Sequence, residues 1–145
     1  MSESIVVGTD GSGTATRAVG EAVRLAKALG AELHIVTAHD PMRGVAVAGA
    51  SGFIVAPAED EEEIIAETLA DAERGVAADG VPVHTHAMRG NPADSLVSVA
   101  EQVGASMIVV GNQGMHGARR VLGSVPNSVS HRARCNVLIV ATDEG

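Results

Sequence analysis

The stretch Ile5-Val6-Val7-Gly8-Thr9-Asp10-Gly11-Ser12 sets the expected fold, because a β-branched run passes directly into a cluster of turn-forming residues. A short apolar run bounded by glycine is typical of a buried strand, and the residues after it predict a loop. Apolar residues then recur at three- and four-residue spacing, which predicts a helix that Ser12 or Thr14 caps at its start and Gly30 ends. These apolar residues are Val19, Ala22, Val23, Ala26 and Leu29.

The same alternation of strand and helix continues along the chain. Further strands are predicted over residues 33–38, 81–88, 107–111 and 137–140, and helices from residue 59, over 92–103, and around Val125, Val129 and Ala133. Residues 39–58 are rich in Gly, Ala and Ser, show no period, and predict a long mobile loop. The helix from residue 59 has an apolar face of Ile64, Ile65, Thr68, Leu69, Ala72 and Val76.

This order of elements predicts a fold class. Strands that alternate with helices form βαβ units with right-handed crossovers, which give a mostly parallel sheet covered on both faces. We therefore expect a three-layer α/β sandwich, and the length of 145 residues suits one domain over residues 1–145.

Composition excludes several classes of protein. The chain is 46% hydrophobic with a formal net charge of −8, so it is not of the disordered type, and its long-range field would repel nucleic acid and anionic membranes. No apolar run is long enough to span a bilayer, and the first residues show no secretory signal. The single cysteine, Cys135, cannot form an internal disulfide and agrees with a reducing compartment. We expect a cytoplasmic protein.

Two loops after predicted strands could hold a ligand, since open α/β sheets bind ligands at the carboxyl ends of strands where the strand order reverses. The first is Gly8-Thr9-Asp10-Gly11-Ser12, and the second runs from Gly111 to Ser124. The second loop is glycine-rich and ends at the start of a helix, where free amides and the helix dipole favour an anion. An ordinary glycine-rich surface connection is the alternative. No Gly-Lys-Ser/Thr occurs, which excludes a Walker P-loop.

Several segments together resemble the universal stress protein family. They are Gly8-Thr9-Asp10-Gly11-Ser12, Arg17-Ala18-Val19, Gly90-Asn91-Pro92, Val109-Val110-Gly111-Asn112-Gln113-Gly114 and Leu122-Gly123-Ser124-Val125-Pro126-Asn127-Ser128-Val129. The resemblance covers nearly the whole chain. It implies an adenine nucleotide alpha hydrolase-like fold with a five-stranded parallel sheet of order 3-2-1-4-5, in which the two loops meet at one site.

The resemblance also implies a set of ligand-binding residues. The ATP-binding branch of the family carries Gly-x2-Gly-x9-Gly-Ser/Thr, and this chain has eight residues, Met115 to Leu122, where that motif has nine. By resemblance, Thr9 and Asp10 border the adenine or ribose, Ala38 lines the adenine pocket, and the second loop holds ribose and phosphates. The implied cofactor-binding residues are Thr9, Asp10, Ala38, Gly111, Asn112, Gly114, Gly123, Ser124, Val125 and Pro126.

The expected function is that of an ATP-binding regulator of the stress response with at most slow ATP hydrolysis. Ser124 could hold Mg²⁺ or a phosphate, but the second loop contains no acid that could act as a base. The alternatives are an AMP or cyclic AMP binder, a nucleotide-free dimeric stress protein, and a true nucleotide hydrolase. The last predicted strand, Val137-Leu138-Ile139-Val140, is apolar, and family members commonly dimerise through it, so we expect a homodimer.

Several side chains have both a functional and an ordinary interpretation. Asp10 could accept hydrogen bonds from a nucleoside or only stabilise its own turn. Arg119, Arg120 and His116 could contact phosphates, although exposed loop residues are more often solvated.

Two further residue types could carry chemistry. His84 and His86 alternate on a predicted strand and so face the same side, as half of a metal site, but the sequence places no third ligand beside them. Cys135 has no His partner, which favours an inert thiol.

Overall fold

The computed structural model describes residues 3–39, 58–112 and 123–142. Gly114, His116, Arg119 and Arg120 lie outside the described residues, as does the predicted loop apart from its two end residues. The described strands are β1 (Ser4–Gly8), β2 (Glu32–His39), β3 (Val83–Arg89), β4 (Met107–Gly111) and β5 (Asn136–Val140). The helices are α1 (Gly13–Leu29), α2 (Ala58–Ala77), α3 (Pro92–Val103) and α4 (Ser124–Arg132).

The five strands form one parallel sheet in the order β3-β2-β1-β4-β5, which confirms the predicted fold class and strand order. The central strand is β1, where Val7 pairs with Ile35 of β2 on one side and with Val109 of β4 on the other. The chain adds strands first on one side of β1 and then on the other. The strand order therefore reverses between β1 and β4.

Side chains of each strand alternate between two separate cores, as the pleat requires. Ile5, Val7 and Ile35 face the core that contains α1 and α2. Val6 and Val36 face the core that contains α3 and α4. All five of these side chains are buried, which explains why the strands read as continuous apolar runs.

The helix ends follow the sequence signals closely. Ser12 caps α1, where its Oγ accepts a hydrogen bond of 3.2 Å from the Ala15 N–H, and Gly30 ends the helix in the left-handed conformation with φ of +66°. Asn91 caps α3 by accepting from two first-turn amides. No helix in the described part of the chain combines the length and apolar character needed to cross a membrane.

Some boundary and core predictions are wrong in detail. Leu29 is 49% exposed because it lies at the end of α1, past Ala26, the last residue of that helix in the core. Ile64 is 60% exposed because adjacent residues on a helix point about 100° apart, and Ile65 is the one that packs on the core. Ala133 lies just after α4 in an extended conformation.

The third strand also begins later than predicted. β3 starts at Val83 rather than at Val81. The reason is Pro82, which has no N–H for the ladder and contributes only its carbonyl, accepting from the Leu33 N–H at 2.9 Å.

Candidate functional site

A cleft of about 240 Å³ opens at the carboxyl edge of the sheet, where the strand order reverses. Its walls come from the ends of β1, β2 and β4 and from the first turns of α1, α3 and α4. The lining residues are Gly8, Thr9, Asp10, Thr14, Ala15, Val36, Ala38, Pro92, Leu96, Val110, Gly111, Val125 and Pro126. The cleft is therefore where the general rule for open α/β sheets predicts a ligand.

The loop after β1 is held in place by hydrogen bonds to β2 and within itself. The Thr9 N–H donates to the Val36 carbonyl, and Thr37 Oγ1 donates to the Thr9 carbonyl, each at 2.9 Å. Asp10 Oδ1 accepts from the Ser12 N–H at 2.9 Å, so this carboxylate stabilises its own turn. Asp10 is exposed and also lines the cleft. The turn uses Oδ1, and the carboxylate lies at the mouth of the cleft.

Two glycines allow close packing at the strand ends. A Cβ on Gly8 would lie 3.2 Å from Leu96 Cδ2, so the Leu96 side chain packs directly over the end of β1. A Cβ on Gly111 would lie 3.2 Å from Thr142 Cγ2. Any larger residue at either position would push these neighbours, and the Gly8 and Leu96 pair sets the depth of the cleft.

Three helices begin around the cleft, and their first turns carry partial positive charge. Side chains cap two of them, Ser12 on α1 and Asn91 on α3. The cap residue of α4 is Gly123, which makes no side-chain hydrogen bond to the helix. Among the residues that the structure describes, no side chain caps the first turn of α4, and this end of the cleft is the better suited to an anion.

The structure brings most of the predicted site residues to the cleft. Thr9, Asp10, Ala38, Gly111, Val125 and Pro126 line it. Gly123 and Ser124 directly precede Val125 in the chain. Asn112 follows Gly111, but its side chain is buried and its Oδ1 accepts from the Thr142 N–H at 3.0 Å and from Thr142 Oγ1 at 2.6 Å. In the described residues, Asn112 thus joins β4 to the segment after β5.

About half of the residues that line the cleft were not predicted from the sequence as site residues. Gly8 belongs to the first predicted loop, and the missed residues are Thr14, Ala15, Val36, Pro92, Leu96 and Val110. Two signals could have identified some of them. Val36 lies two residues before Ala38 on the same face of β2, and Pro92 opens a helix that follows a strand ending at this edge of the sheet.

The sequence alone places no third ligand beside His84 and His86, but the structure brings two more potential ligands there. In the parallel pairing of β2 with β3, His34 is the direct partner of His84. His34 Nδ1 lies 2.9 Å from His86 Nε2, and Glu32 Oε2 lies 3.9 Å from His84 Nε2. Strand pairing alone brings these four side chains together.

Cys135 lies between α4 and β5 and is half-buried. Burial raises the pKa of its thiol, with a smaller opposing effect from a backbone hydrogen bond. The thiolate, which is the nucleophilic form, is therefore disfavoured, in agreement with the interpretation of Cys135 as an inert thiol.

Comparison with known proteins identifies the family. The model of the universal stress protein family matches residues 1–141. A universal stress protein of Mycobacterium tuberculosis strain H37Rv is 39% identical over 145 residues, covering 97% of this chain and 97% of the relative. One from Methanocaldococcus jannaschii is 33% identical over 147 residues, covering 95% of this chain and 81% of the relative.

Solved structures agree. A crystal structure of a universal stress protein in complex with cAMP has a TM-score of 0.74 at 35% identity and covers 98% of both chains. The universal stress protein of Archaeoglobus fulgidus in complex with dAMP has a TM-score of 0.70 at 26% identity, covering 94% of this chain and 96% of that one. The adenine nucleotide alpha hydrolase-like fold is shared with these neighbours. On the family match, the relatives and the shared architecture, the chain belongs to the universal stress protein family.

Proposed function

We propose that the cleft binds an adenine nucleotide, with ATP as the first candidate, and that the protein acts as a nucleotide-dependent regulator in the stress response. The observation that carries the proposal is the cleft itself, apolar on the side of β2 and α3 and bordered by an uncapped helix at α4. The neighbours crystallised with cAMP and dAMP support it.

The base would lie against aliphatic side chains. Val36, Ala38, Leu96 and Val110 contribute apolar surface to the cleft. The sequence has no Trp or Tyr and a single Phe, and none of the described residues that line the cleft has an aromatic ring on which a base could stack. Aliphatic contact and hydrogen bonds from the backbone are the remaining means of holding the base.

The phosphates would lie at the start of α4. Gly111 ends β4 and lines the same cleft as Val125 and Pro126 of this helix. The backbone N–H groups of Ser124 and Val125 and the hydroxyl of Ser124 are the donors expected to contact the phosphates, since Pro126 has no N–H. Gly114, outside the described residues, remains a predicted part of the same loop.

Asp10 would bind the nucleoside end. Its Oδ1 is oriented by the Ser12 N–H, which fixes the carboxylate at the mouth of the cleft. A carboxylate in that position can accept from a ribose hydroxyl or an amino group of the base. The structural and the ligand-binding interpretations of Asp10 thus complement each other.

AMP or cyclic AMP is the second candidate ligand. The connection between Gly114 and Gly123 is one residue shorter than in the ATP-binding motif, which favours a ligand with fewer phosphates. The neighbour crystallised with cAMP supports this alternative at 35% identity. For ATP we propose at most slow turnover, since Asp10 is assigned to the nucleoside end and is the only carboxylate in the described cleft lining.

We also propose a homodimer in the cytoplasm. β5 is an edge strand of the described sheet, and Ile139 on it is a large apolar side chain exposed to solvent. Pairing of Val137 to Val140 with a second copy would cover that edge. Equilibrium sedimentation should give a dimer at micromolar concentration, and a monomer alone would contradict the proposal.

The first experiment identifies the nucleotide. Freshly purified protein is denatured, the released small molecules are identified by mass spectrometry, and ATP, AMP and cAMP are titrated calorimetrically into the stripped protein. We expect one site per chain. Binding of ATP supports the first candidate, and a preference for AMP or cAMP supports the second. No binding at millimolar concentration contradicts both.

Two variants locate the site. Asp10→Ala should weaken binding about 10- to 100-fold, since a hydrogen bond to a charged group contributes about 1.5–3 kcal/mol. The matched control is Asp79→Ala, an exposed carboxylate that pairs with Lys27 away from the cleft. Ala38→Leu fills the apolar side and should weaken all three nucleotides equally. Unchanged affinity in both variants would place the ligand elsewhere.

A further inference from the structure

We propose that Glu32, His34 and His84 form a binding site for a divalent transition-metal ion, with Zn²⁺ the best match. The site lies on β2 and β3, on the sheet face that also carries Val36 and Ala38 of the cleft. It is separate from the proposed nucleotide site, and its test does not depend on nucleotide binding.

The register of the parallel strands brings the ligands together. His34 and His84 are direct partners, and their rings stack with centroids 4.8 Å apart. Glu32 lies two residues before His34 and so faces the same side. One ligand atom from each of the three residues lies within 4.8 Å of the other two. Within residues 3–39, 58–112 and 123–142, this is the group of potential metal ligands that converges.

The ligand atoms of Glu32, His34 and His84 lie slightly farther apart than a bound ion requires, so a small inward rotation of side chains would complete the site. Zn²⁺ bonds to His nitrogen and carboxylate oxygen at about 2.0–2.2 Å, which places tetrahedral ligand atoms about 3.3–3.6 Å apart. The observed Glu32 Oε2 to His84 Nε2 distance is 3.9 Å. Both side chains are substantially exposed, 38% for Glu32 and 53% for His84, so they can rotate inward without disturbing the core. His34 is buried and supplies the fixed point.

His86 would act as a positioning residue. Its Nε2 lies 2.9 Å from His34 Nδ1, so this hydrogen bond occupies one nitrogen of His34. The Nε2 of His34 is then the nitrogen that faces an ion. A hydrogen bond to the second ring nitrogen of a metal ligand fixes its tautomer and orientation, which is the usual arrangement in metal sites.

The protonation state favours binding. Burial lowers the pKa of His34 and of His86, and the nearby His84 lowers both further, while Glu32 has a smaller opposing effect on His34. These shifts favour the neutral form of both imidazoles. Neutral imidazole is the form that coordinates a metal.

The donor set selects the class of ion. Two imidazoles and one carboxylate suit Zn²⁺, Co²⁺ and similar ions, whereas Mg²⁺ and Ca²⁺ require mainly oxygen ligands. A magnesium ion carried by a bound nucleotide would therefore not compete for this site.

The test uses tag-free, full-length protein carrying Cys135→Ser to remove the thiol as a competing ligand. Zn²⁺ is titrated calorimetrically, and Co²⁺ is added in parallel because its visible absorption reports nitrogen and oxygen coordination. We expect one ion per chain for each metal, and no change when Mg²⁺ is present in excess.

Three variants distinguish the site from weak surface binding. His84→Ala should weaken Zn²⁺ binding at least 100-fold and abolish the Co²⁺ spectrum, and His86→Ala should weaken binding about 10- to 100-fold. The control is His131→Ala, which removes an exposed histidine of α4 outside the cluster. Equal affinity in His84→Ala and the parent protein would overturn the proposal.

A measurement on the unsubstituted ligands covers the case in which a variant misfolds. Ring resonances of His34 and His84, followed by NMR in the parent protein, should shift together on addition of one equivalent of Zn²⁺, and those of His131 should not. If the shifts appear only on His131 or on none of the rings, the cluster is not a metal site.

Discussion

We expect the Asn112→Ala substitution to lower the free energy of unfolding and to leave nucleotide affinity almost unchanged. Asn112 is 4% exposed and accepts two hydrogen bonds from Thr142 through a single oxygen, Oδ1. Thr142 is also buried, and its carbonyl accepts from Arg17 Nη1. The Asn112 side chain thus connects the end of β4 to the segment after β5 through buried hydrogen bonds.

The magnitude follows from what the substitution leaves behind. The Thr142 hydroxyl can rotate toward another acceptor, but its backbone N–H cannot, and a buried donor without a partner costs about 1–3 kcal/mol. Loss of the second hydrogen bond and of side-chain packing adds about 0.5–1 kcal/mol. We expect the free energy of unfolding to fall by about 1.5–4 kcal/mol, a decrease in Tm of roughly 3–16 °C for a chain of this length.

Urea unfolding followed by far-UV circular dichroism measures this change. Fluorescence is unsuitable because the chain has no Trp or Tyr. Gln102→Ala is the matched control, since Gln102 is exposed and donates to Ser98 Oγ at 3.2 Å. Its loss should cost less than about 0.5 kcal/mol. Thr142→Val removes the hydroxyl donor alone, and the double variant should be less destabilised than the sum of the two.

One pattern of results would refute this reasoning. If Asn112→Ala changed the free energy of unfolding no more than Gln102→Ala does, but weakened nucleotide binding tenfold or more, the side chain would belong to the ligand site. The role that family resemblance assigns to Asn112 would then be correct.

Three further predictions concern stability. First, the pKa values of His34 and His86 are lowered by folding, so the unfolded chain binds more protons. The contribution of these two groups to stability is therefore present above about pH 7.5 and is lost as pH drops through about 6.5. Thermal unfolding in EDTA should show this decrease, and a flat profile from about pH 7.5 to about 5.5 would contradict it. Second, Ile35→Ala removes a fully buried side chain and should cost about 2–5 kcal/mol in urea unfolding, with a cost below 1 kcal/mol arguing against the described core. Third, Asn91→Ala removes the cap that accepts from two amides of α3 and should cost about 0.5–2 kcal/mol, whereas Asn91→Asp, which keeps the acceptor, should cost little.

The fold could be predicted from local patterns because each element carries its own boundary signals. The β-branched runs specify the strands, and Ser12, Gly30 and Asn91 mark helix ends at the positions where the structure has them. Alternation of strands and helices then leaves few parallel topologies. The strand order itself came from family resemblance, since local patterns do not say which strands pair.

The site was harder to predict because its lining is assembled across strands. Thr9 and Asp10 are recognisable as a loop after a strand, but Leu96 lines the cleft only because α3 packs over Gly8. The partnership of His34 with His84 was missed for the same reason, since it depends on the register of β2 against β3. Side chains brought together by register leave no signal in either segment alone.

The even-numbered residues of β2, Glu32, His34, Val36 and Ala38, all point to one face of the sheet, so both proposed sites depend on the same alternation of side chains. Because side chains alternate with a period of two, inserting or deleting one residue within β2 would exchange its two faces. The β2 residues after such a change, which belong to the proposed metal site and to the apolar wall of the cleft, would then point toward α1 and α2. An insertion of two residues keeps each side chain on its face, but it shifts the pairing of β2 with β3 by two positions.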